Sequence, residues 1–319
     1  MVSISDRSSN GALTTIGRRL LEGVLTAWAA VSLTFFALRL VAGDPIASLL
    51  SRGLASPEQA ENLRHSLGLD TPLHIQYLKF LSGFLRGDLG TSLYTGRPVS
   101  SVITEQLPAT LELAFAGFSL ALLIGLSLGI VAAWKQHDFI GRCSAAIAGL
   151  STSIPVAFTS ILALLIYSFG MRLFPGVDFS ATRRLFLPAL ILGFSSAGAI
   201  ARVVHTGLLE SMKEPYILAA RARGIPQGLR LLWHALRPSL PPAVSISALE
   251  VAYLFAGTVV TETVFSRPGL GRLLVNSILQ GDFPIAQGLV AVSALFYTFS
   301  HITADILAFI IDPRLRRTI

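Results

Sequence analysis

The chain has 319 residues, of which 52% are hydrophobic and only 13% are charged, with a mean hydropathy of +0.66. A soluble domain usually carries about 25% charged residues, so this composition excludes an ordinary soluble domain and predicts a polytopic membrane protein. The net charge of +7 does not indicate nucleic-acid binding, because the basic residues lie mostly at the ends of apolar runs.

The sequence lacks the motifs of the common catalytic and metal sites. Cys143 is the single cysteine, so an internal disulfide and a cysteine-based metal site are both excluded. The chain contains no G-x-x-x-x-G-K phosphate loop, no H-E-x-x-H and no G-x-S-x-G. We therefore predict that the chain is not an enzyme and has no cofactor of its own. If transport needs ATP, another chain must supply the ATPase.

Six apolar runs are long enough to cross a bilayer, whose hydrocarbon core of about 30 Å takes about 20 helical residues. They are Leu20–Leu40, Leu111–Ala133, Cys143–Phe169, Phe186–Val204, Leu240–Thr261 and Ile285–Ile311. The second run contains Gly125 and Gly129, whose spacing permits close helix packing in lipid. The third contains Pro155, and the sixth is long enough to tilt. We predict an all-α polytopic fold with six transmembrane helices.

Lysine and arginine residues predict the orientation in the membrane. The N-terminal tail, the loops after the second and fourth runs and the C-terminus together carry thirteen, against five in the short loops on the other side. Both termini and the loop after the fourth run are therefore predicted to be cytoplasmic. Arg183 and Arg184 run against this pattern, since they lie on the opposite side.

The runs divide the chain into consecutive segments. The predicted segments are a cytoplasmic tail (1–19), the first transmembrane helix (20–40), an extracytoplasmic loop with short helices (41–98), a transmembrane core with spans two to six (99–312) that contains a cytoplasmic loop (213–237), and a cytoplasmic C-terminus (313–319). In the long outer loop, Ser56, Pro57 and Gln59 predict the start of a helix that ends at Gly68. A second helix with an apolar stripe starts near Thr71, and the two helices either receive a partner, cap the pore or pack on the outer ends of the spans.

The loop Lys213–Arg237 is the most basic long polar stretch between two apolar runs. It is predicted to form two short helices that break at Gly224–Ile225–Pro226. Gly224 suits the left-handed position after a helix, and Pro226 suits the first turn of the next one. Apolar residues then recur at i, i+3, i+4 and i+7 on one helix face. They are Leu229, Leu232, Trp233 and Leu236. This face is either a docking surface for a cytoplasmic partner or an interfacial helix on lipid headgroups.

Charged residues inside the runs are candidates for a translocation path, because charge at mid-bilayer usually faces protein or water. Glu250, in the fifth run, is predicted as a possible pore-lining residue, with a structural hydrogen bond as the alternative. His301 and Asp305, four residues apart in the sixth run, are predicted to pair on one helix face and are the other possible pore-lining residues. Charges near the ends of runs are expected to reach water. They are Glu22, Arg39, Glu112 and Glu262.

The loop after the fourth run resembles the EAA loop of ABC importer permeases, above all those of the bacterial dipeptide, oligopeptide and nickel family. The matching text is Ala220-Arg221-Ala222-Arg223-Gly224 and His234-Ala235-Leu236-Arg237. Leu218 stands where the acidic residue that names the loop is usual, and the I-x-L-P pattern that follows is also altered. Both departures are usual for this branch.

Other short matches follow in the same order over about 290 residues, which makes the resemblance specific although each match alone is weak. They are Gly43-Asp44-Pro45, Gly68-Leu69-Asp70-Thr71-Pro72-Leu73, Gly87-Asp88-Leu89-Gly90, Pro108-Ala109-Thr110-Leu111-Glu112-Leu113, Glu262-Thr263-Val264-Phe265, Pro268-Gly269-Leu270-Gly271 and Asp312-Pro313-Arg314. The Gly-Asp-Pro box and the long first outer loop resemble the first permease of the pair in such systems.

The resemblance implies a type I importer fold in the bacterial inner membrane. It implies a sister permease, two ABC ATPase subunits that bind ATP and Mg²⁺, and a periplasmic or lipid-anchored solute-binding protein as partners. It also assigns the ATPase-coupling residues to Ala219, Ala220, Arg221, Arg223, Gly224, Leu229, Leu232, Trp233 and His234. Peptides are the expected solute, with nickel or a metal chelate, an opine and glutathione as alternatives.

A self-sufficient secondary transporter or channel is the main alternative of another class. It would need a coupling-ion site of its own, for which Glu250 and the His301–Asp305 pair are the available candidates. It would also leave the basic loop without a role. An intramembrane enzyme has no support, because no nucleophile–base or metal-ligand spacing is present.

Overall fold

The computed structural model of the protein describes residues 6–41, 46–47, 50, 53, 56–173 and 185–311. The predicted Gly43-Asp44-Pro45 box, Arg183 and Arg184 lie outside the described residues, as does the C-terminal segment from residue 312 onward. The side chain of Asp305 is also outside them, although its backbone belongs to a helix.

Helices make up almost all of the described residues, which contain no β-strand beyond one isolated bridge between Thr91 and Pro98. The helices are α1 (Asp6–Val41), α2 (Pro57–Leu67), α3 (Leu73–Leu85), α4 (Val99–Trp134), α5 (Phe139–Ser153), α6 (Val156–Leu173), α7 (Leu187–Ser211), α8 (Pro215–Ala222), α9 (Gln227–Val264), α10 (Leu270–Gln280) and α11 (Phe283–Ile311). The prediction of an all-α fold is confirmed.

Five helices of the described part are long and apolar enough to cross a membrane, and a bent pair raises the number to six if it counts as one span. The five are α1, α4, α7, α9 and α11. The predicted third span is not one straight helix, because α5 and α6 meet at an angle of 108°. Pro155 explains the break. It disfavours helical backbone at the residue before it, and Ile154 is extended, with ψ at 124°.

Three spans extend well past the apolar runs that predicted them. Helix α1 begins at Asp6 rather than Leu20. Helix α4 begins at Val99 rather than Leu111 and has 36 residues, so it is about 54 Å long. Helix α9 has 38 residues and begins at Gln227. An apolar run marks only the part of a helix that lies in lipid, whereas the helix itself continues through polar residues as long as its backbone hydrogen bonds are formed.

The chain forms two compact units that are discontinuous in sequence. One consists mainly of Ala109–Arg267, and the other consists of Arg18–Pro108 with Pro268–Thr298. The predicted division into consecutive segments stays a prediction.

Helix α7 is the centre of the first unit. It is the most buried of the five spans, and it packs against α5, α6 and α9. Its largest fully buried side chains are Leu192, Ile200 and Leu208. A helix that is apolar on all sides and covered by neighbours is typical of the core of a membrane bundle.

Glycines of α4 allow its backbone to approach α7 closely. A Cβ atom at Gly125 would lie 2.8 Å from the carbonyl oxygen of Ala197, and one at Gly129 would lie 2.7 Å from the carbonyl oxygen of Ala201. Both distances are shorter than real Cβ contacts, so neither position accepts a side chain without a shift of the helices. The prediction that these glycines serve close helix packing is confirmed.

In the second unit, the segment between α1 and α4 packs on α1. Helix α2 begins with the predicted capping box at Ser56 and Gln59 and ends at Gly68, which is left-handed with φ at 66°. The ring of His65, in the last turn of α2, hydrogen-bonds to the carboxylate of Asp70, which follows the helix, and this bond lowers the pKa of Asp70. On α3, the ring of Tyr77 contacts Phe35 of α1, with 5.3 Å between ring centroids. The apolar stripe of α3 therefore packs on a span, which is one of the uses that the sequence left open.

Two further contacts hold the second unit together. Ser92 Oγ donates a hydrogen bond of 2.5 Å to Asp282, just before α11. The Arg39 guanidinium lies 3.5 Å from the ring centroid of Phe35 and donates to Gln76. The expectation that Arg39 simply reaches water is therefore wrong, because its cation is held against an aromatic ring.

The close contact of α4 with α7 leads to a stability prediction. We expect Gly125→Ala and Gly129→Ala each to lower the free energy of unfolding by about 1–3 kcal/mol, because the added methyl group forces two backbones apart. The measurement is the fraction of purified, detergent-solubilised protein that stays monodisperse after heating to increasing temperatures.

Gly149→Ala is the matched control, because a Cβ at this helical glycine meets no atom within 4 Å. It should leave the heating curve unchanged or shift it slightly upward. Equal curves for all three variants would contradict the packing role of Gly125 and Gly129.

Candidate functional site

The basic loop forms an elbow between two spans, here defined as residues 213–237. Helix α8 ends at Ala222, and Gly224 follows with φ at 77°. The N–H of Gly224 donates to Arg221 O at 2.9 Å, and the N–H of Ile225 donates to Ala220 O at 3.2 Å. These two bonds form a Schellman motif, in which the left-handed residue is usually glycine. The predicted helix stop at Gly224 is confirmed.

The second predicted helix of the elbow is not a separate short helix. Pro226 precedes the helix rather than occupying its first turn, and the helix that starts at Gln227 continues into the fifth span as α9. Residues Arg230–Ala235 form a π-helical stretch within it. The polar residues of 227–237 hid this continuity from the sequence, because apolar content marked the span only from Leu240.

The inner face of the elbow is buried against the spans. Ile217 of α8 and Leu231 and Ala235 of α9 are at most 1% exposed. They belong to one cluster with residues of α4 and α7, including Val204 and Leu208. Sequence analysis missed these residues because it followed a stripe of period 3.6. The available signal was a second set at a strict spacing of four, with Leu231, Ala235, Ser239, Ala243 and Ser247 all buried.

The outer face carries the predicted coupling residues. Trp233 is 74% exposed, and Leu229 and Leu232 are 48% and 42% exposed. Exposed together with them are Ala219, Arg221, Arg223, Gly224 and His234. Ala220 is the exception, because it is buried with the inner face. The predicted apolar stripe thus faces away from the bundle, apart from Leu236, which packs against the buried cluster.

The elbow is strongly basic. It contains Lys213 and four arginines against one acidic residue, Glu214. Lys213, Arg221, Arg223 and Arg237 are exposed, whereas Arg230 is half-buried. Among the described residues, none of the four arginines forms a salt bridge with a carboxylate. Unpaired guanidinium groups beside exposed aromatic and aliphatic side chains are suited to binding a protein surface with acidic and apolar groups.

The predicted pore-lining residues are spread over two helices. Glu250 lies on α9, and its neighbour across the helix contact is Ser196 of α7. His301 lies on α11, where it interacts with other groups of the protein. Its predicted pairing with Asp305 stays a prediction, since that side chain is outside the described residues.

Two charged residues near the ends of spans, Glu262 and Arg267, are buried in the first unit and form hydrogen bonds within it. Glu262 is fully buried and accepts a hydrogen bond of 2.7 Å from Thr110 Oγ1. The Arg267 guanidinium donates to Glu112 at 2.5 Å and to the Ala109 carbonyl at 3.0 Å. The expectation that Glu262 reaches water is wrong, because its carboxylate is needed as an acceptor inside the bundle. Two of the short matches noted in the sequence, 108–113 and 262–265, meet in this cluster.

Comparison with known proteins confirms the resemblance. Residues 125–317 match the family model described as binding-protein-dependent transport system inner membrane component, and residues 12–114 match the model of the N-terminal part of such components. The first match alone covers more than half of the chain.

Similar proteins are found among curated relatives and solved structures. The probable D,D-dipeptide transport system permease protein DdpB of Escherichia coli (strain K12) is 38% identical over 318 residues, covering 89% of this chain and 92% of the relative. The glutathione transport system permease protein GsiC of Salmonella paratyphi A is 33% identical, covering 94% and 97%. A structure of the MetNI methionine ABC transporter in an inward-facing conformation aligns with a TM-score of 0.55 at 19% identity, covering 67% of this chain and 97% of that chain, which shows the fold alone.

The family, the helical fold and the absence of catalytic motifs agree. A permease of this family is a transport component rather than an enzyme, and it works with ATPase and solute-binding subunits. The chain belongs to the family of binding-protein-dependent transport system inner membrane components and is a multi-pass permease subunit of an ABC importer in the bacterial inner membrane.

Proposed function

We propose that this permease forms half of the translocation pore of an importer for short peptides. A sister permease would supply the other half, two ABC ATPase subunits would bind ATP and Mg²⁺, and a periplasmic or lipid-anchored binding protein would deliver the peptide. The elbow and both termini would lie on the cytoplasmic side, as the distribution of lysine and arginine predicts.

The observation that carries the proposal is that the elbow has one exposed apolar face and one buried face. Its outer face presents Leu229, Leu232 and Trp233, while its inner face is fixed by Leu231 and Ala235 to the buried cluster. Because packed interiors transmit displacement rather than absorb it, a partner that moves the outer face would move α7 and α9 with it. This arrangement suits a groove of the ATPase that closes on binding ATP.

Peptides are proposed as the solute because two relatives are named for a dipeptide and for glutathione, which is itself a short peptide. A metal chelate and an opine are the other candidates from the sequence. Affinity measurements on the cognate binding protein, with a dipeptide, a tripeptide, glutathione, an opine and a nickel chelate, would identify the solute. A binding protein that takes only the metal chelate or the opine would overturn the peptide assignment.

Assembly is tested by purifying the tagged chain in mild detergent and identifying the copurifying proteins by mass spectrometry. We expect a second six-span permease and ATPase subunits with phosphate loops. A chain that purified alone and moved solute in liposomes without ATP would contradict this proposal, and it would favour the secondary transporter.

Neighbouring leucines of the elbow separate docking from folding. We expect Leu232→Ala and Trp233→Ala to reduce copurification of the ATPase at least about tenfold while the chain inserts normally, because exposed anchors of an interface are each worth about 2 kcal/mol or more. The measurement is the ratio of ATPase to permease in the purified assembly.

Leu231→Ala is the matched control, since this leucine is 1% exposed and packs in the cluster. It should instead lower the thermal stability of the permease, by about 2–5 kcal/mol in free energy of unfolding. If Leu232→Ala and Trp233→Ala left the ratio unchanged, the outer face would not be the docking surface.

Gly224→Asp tests the turn itself. We expect uptake to be lost with normal insertion, because a charged side chain at the tip of the elbow would stand between it and the ATPase. Within the chain there is space for the substitution, since a Cβ at Gly224 meets no atom within 4 Å. Uptake of radiolabelled solute per inserted permease is the measurement.

Gly96→Asp controls for backbone strain. Gly96 is exposed and also left-handed, with φ at 64°, and it has equally open surroundings, but it lies far from the elbow in sequence and outside its unit. This variant should retain uptake. Normal uptake by Gly224→Asp would remove this residue from the coupling surface.

A further inference from the structure

Two buried polar atoms lie between the central helices of the first unit, and neither has a hydrogen-bond partner outside this pair among the described residues. They are Oε2 of Glu250 on α9 and Oγ of Ser196 on α7, and both atoms are buried. Ser196 is only 2% exposed, and it is the side chain of the described residues that interacts with Glu250. Glu250 lies near the middle of the apolar run 240–261 of helix α9.

Glu250 differs from the other carboxyl groups described above in the partners that surround it. A carboxylate at mid-bilayer costs about 2.5–3.5 kcal/mol on insertion scales, so such groups are generally paired. Glu262 and Glu112 have partners, as described above. No lysine, arginine or histidine of the described residues is among the groups that interact with Glu250. The described residues therefore supply no cation for the carboxyl group of Glu250.

The site opens toward the surface of the unit. Glu250 is half-buried, and its helix neighbours Leu249 and Tyr253 are exposed, Tyr253 by 66%. Residues 249, 250 and 253 thus border an exposed face of α9. A molecule on this face would lie next to Glu250, with the buried serine hydroxyl behind it.

We propose that Glu250 and Ser196 form a binding site inside the membrane for the ammonium group of the transported peptide. The inference rests on the proposed function. An ammonium group has three N–H donors, and it would donate to the carboxylate and to the hydroxyl oxygen, while the hydroxyl keeps its own hydrogen for the carboxylate. Charge balance and hydrogen-bond satisfaction are then reached together, and both are lost again when the peptide leaves.

The ammonium group has two sources, the amino terminus and a lysine side chain. The transport test uses proteoliposomes of the full assembly with binding protein saturated by one peptide. Four peptides are compared where the binding protein binds them: Ala-Ala, Lys-Ala, N-acetyl-Ala-Ala and N-acetyl-Lys-Ala. Because the binding protein is the same throughout, a change in the permease alters only the later steps.

We expect Glu250→Gln to lower ATP-driven uptake of Ala-Ala about tenfold or more, since charge-assisted hydrogen bonds are lost while size is kept. Ser196→Ala should lower it less, and Glu210→Gln, an exposed carboxylate on the same helix as Ser196, should leave it unchanged. A loss with Ala-Ala but not with N-acetyl-Lys-Ala identifies the amino terminus as the source, and a loss with N-acetyl-Lys-Ala but not with Ala-Ala identifies the lysine side chain. Uptake of both peptides by Glu250→Gln that equals their uptake by the wild type would overturn the proposal.

A second measurement uses the wild-type protein and does not depend on transport activity or on the folding of a variant. The purified wild-type assembly is treated with dicyclohexylcarbodiimide, and labelling of Glu250 is quantified by mass spectrometry. Ethylammonium and Ala-Ala should each protect Glu250, whereas N-acetyl-Ala-Ala should not. Labelling that is equal with and without ethylammonium would overturn the site. If ethylammonium protects but the wild type imports no peptide, the proposed solute is wrong and the site for an ammonium group stands.

Discussion

The close approach of α4, α5 and α9 to the central helix α7 is the constraint on which the first unit depends. Lipid tails are as apolar as leucine, so helices in a membrane gain little from hiding apolar surface and associate through tight packing. Small residues make this possible here: Gly125 and Gly129 on α4 and Ser239 on α9 all meet the backbone or side chains of α7. The elbow is mounted on this packed core, because Val204 and Leu208 of α7 belong to its cluster.

The continuity of the elbow with α9 gives the coupling proposal its physical content. A loop on a flexible hinge would absorb a push from a partner, whereas Leu231 and Ala235 fix the elbow to α7 on the same helix that carries Trp233 outward. The π-helical stretch Arg230–Ala235 contains both the buried Leu231 and Ala235 and the exposed Trp233. The wider turn of a π-helix brings residues four apart, such as Leu231 and Ala235, onto one face.

Polar groups within the first unit fall into two kinds. Glu262 with Thr110, and Arg267 with Glu112, are matched within the chain and connect the start of α4 in this unit to the end of α9. Oε2 of Glu250 and Oγ of Ser196 have only each other among the described residues, which supply no cation for this carboxyl group. A matched buried network serves the stability of one conformation, whereas a carboxyl group without a cation is suited to a ligand that comes and goes.

The sequence by itself determined the fold class, the spans, the basic elbow and the stop at Gly224, because apolar length, charge asymmetry and glycine at a left-handed position are local signals. Tertiary structure decided which face of the elbow is buried, that α9 continues through the elbow, and that Glu262 is buried and hydrogen-bonded rather than in water. Leu231 and Leu232 are chemically identical neighbours, and only packing against α7 distinguishes the buried one from the exposed one. The same holds for Glu250 and Glu262, since what surrounds a carboxylate in the membrane depends on helices far apart in sequence.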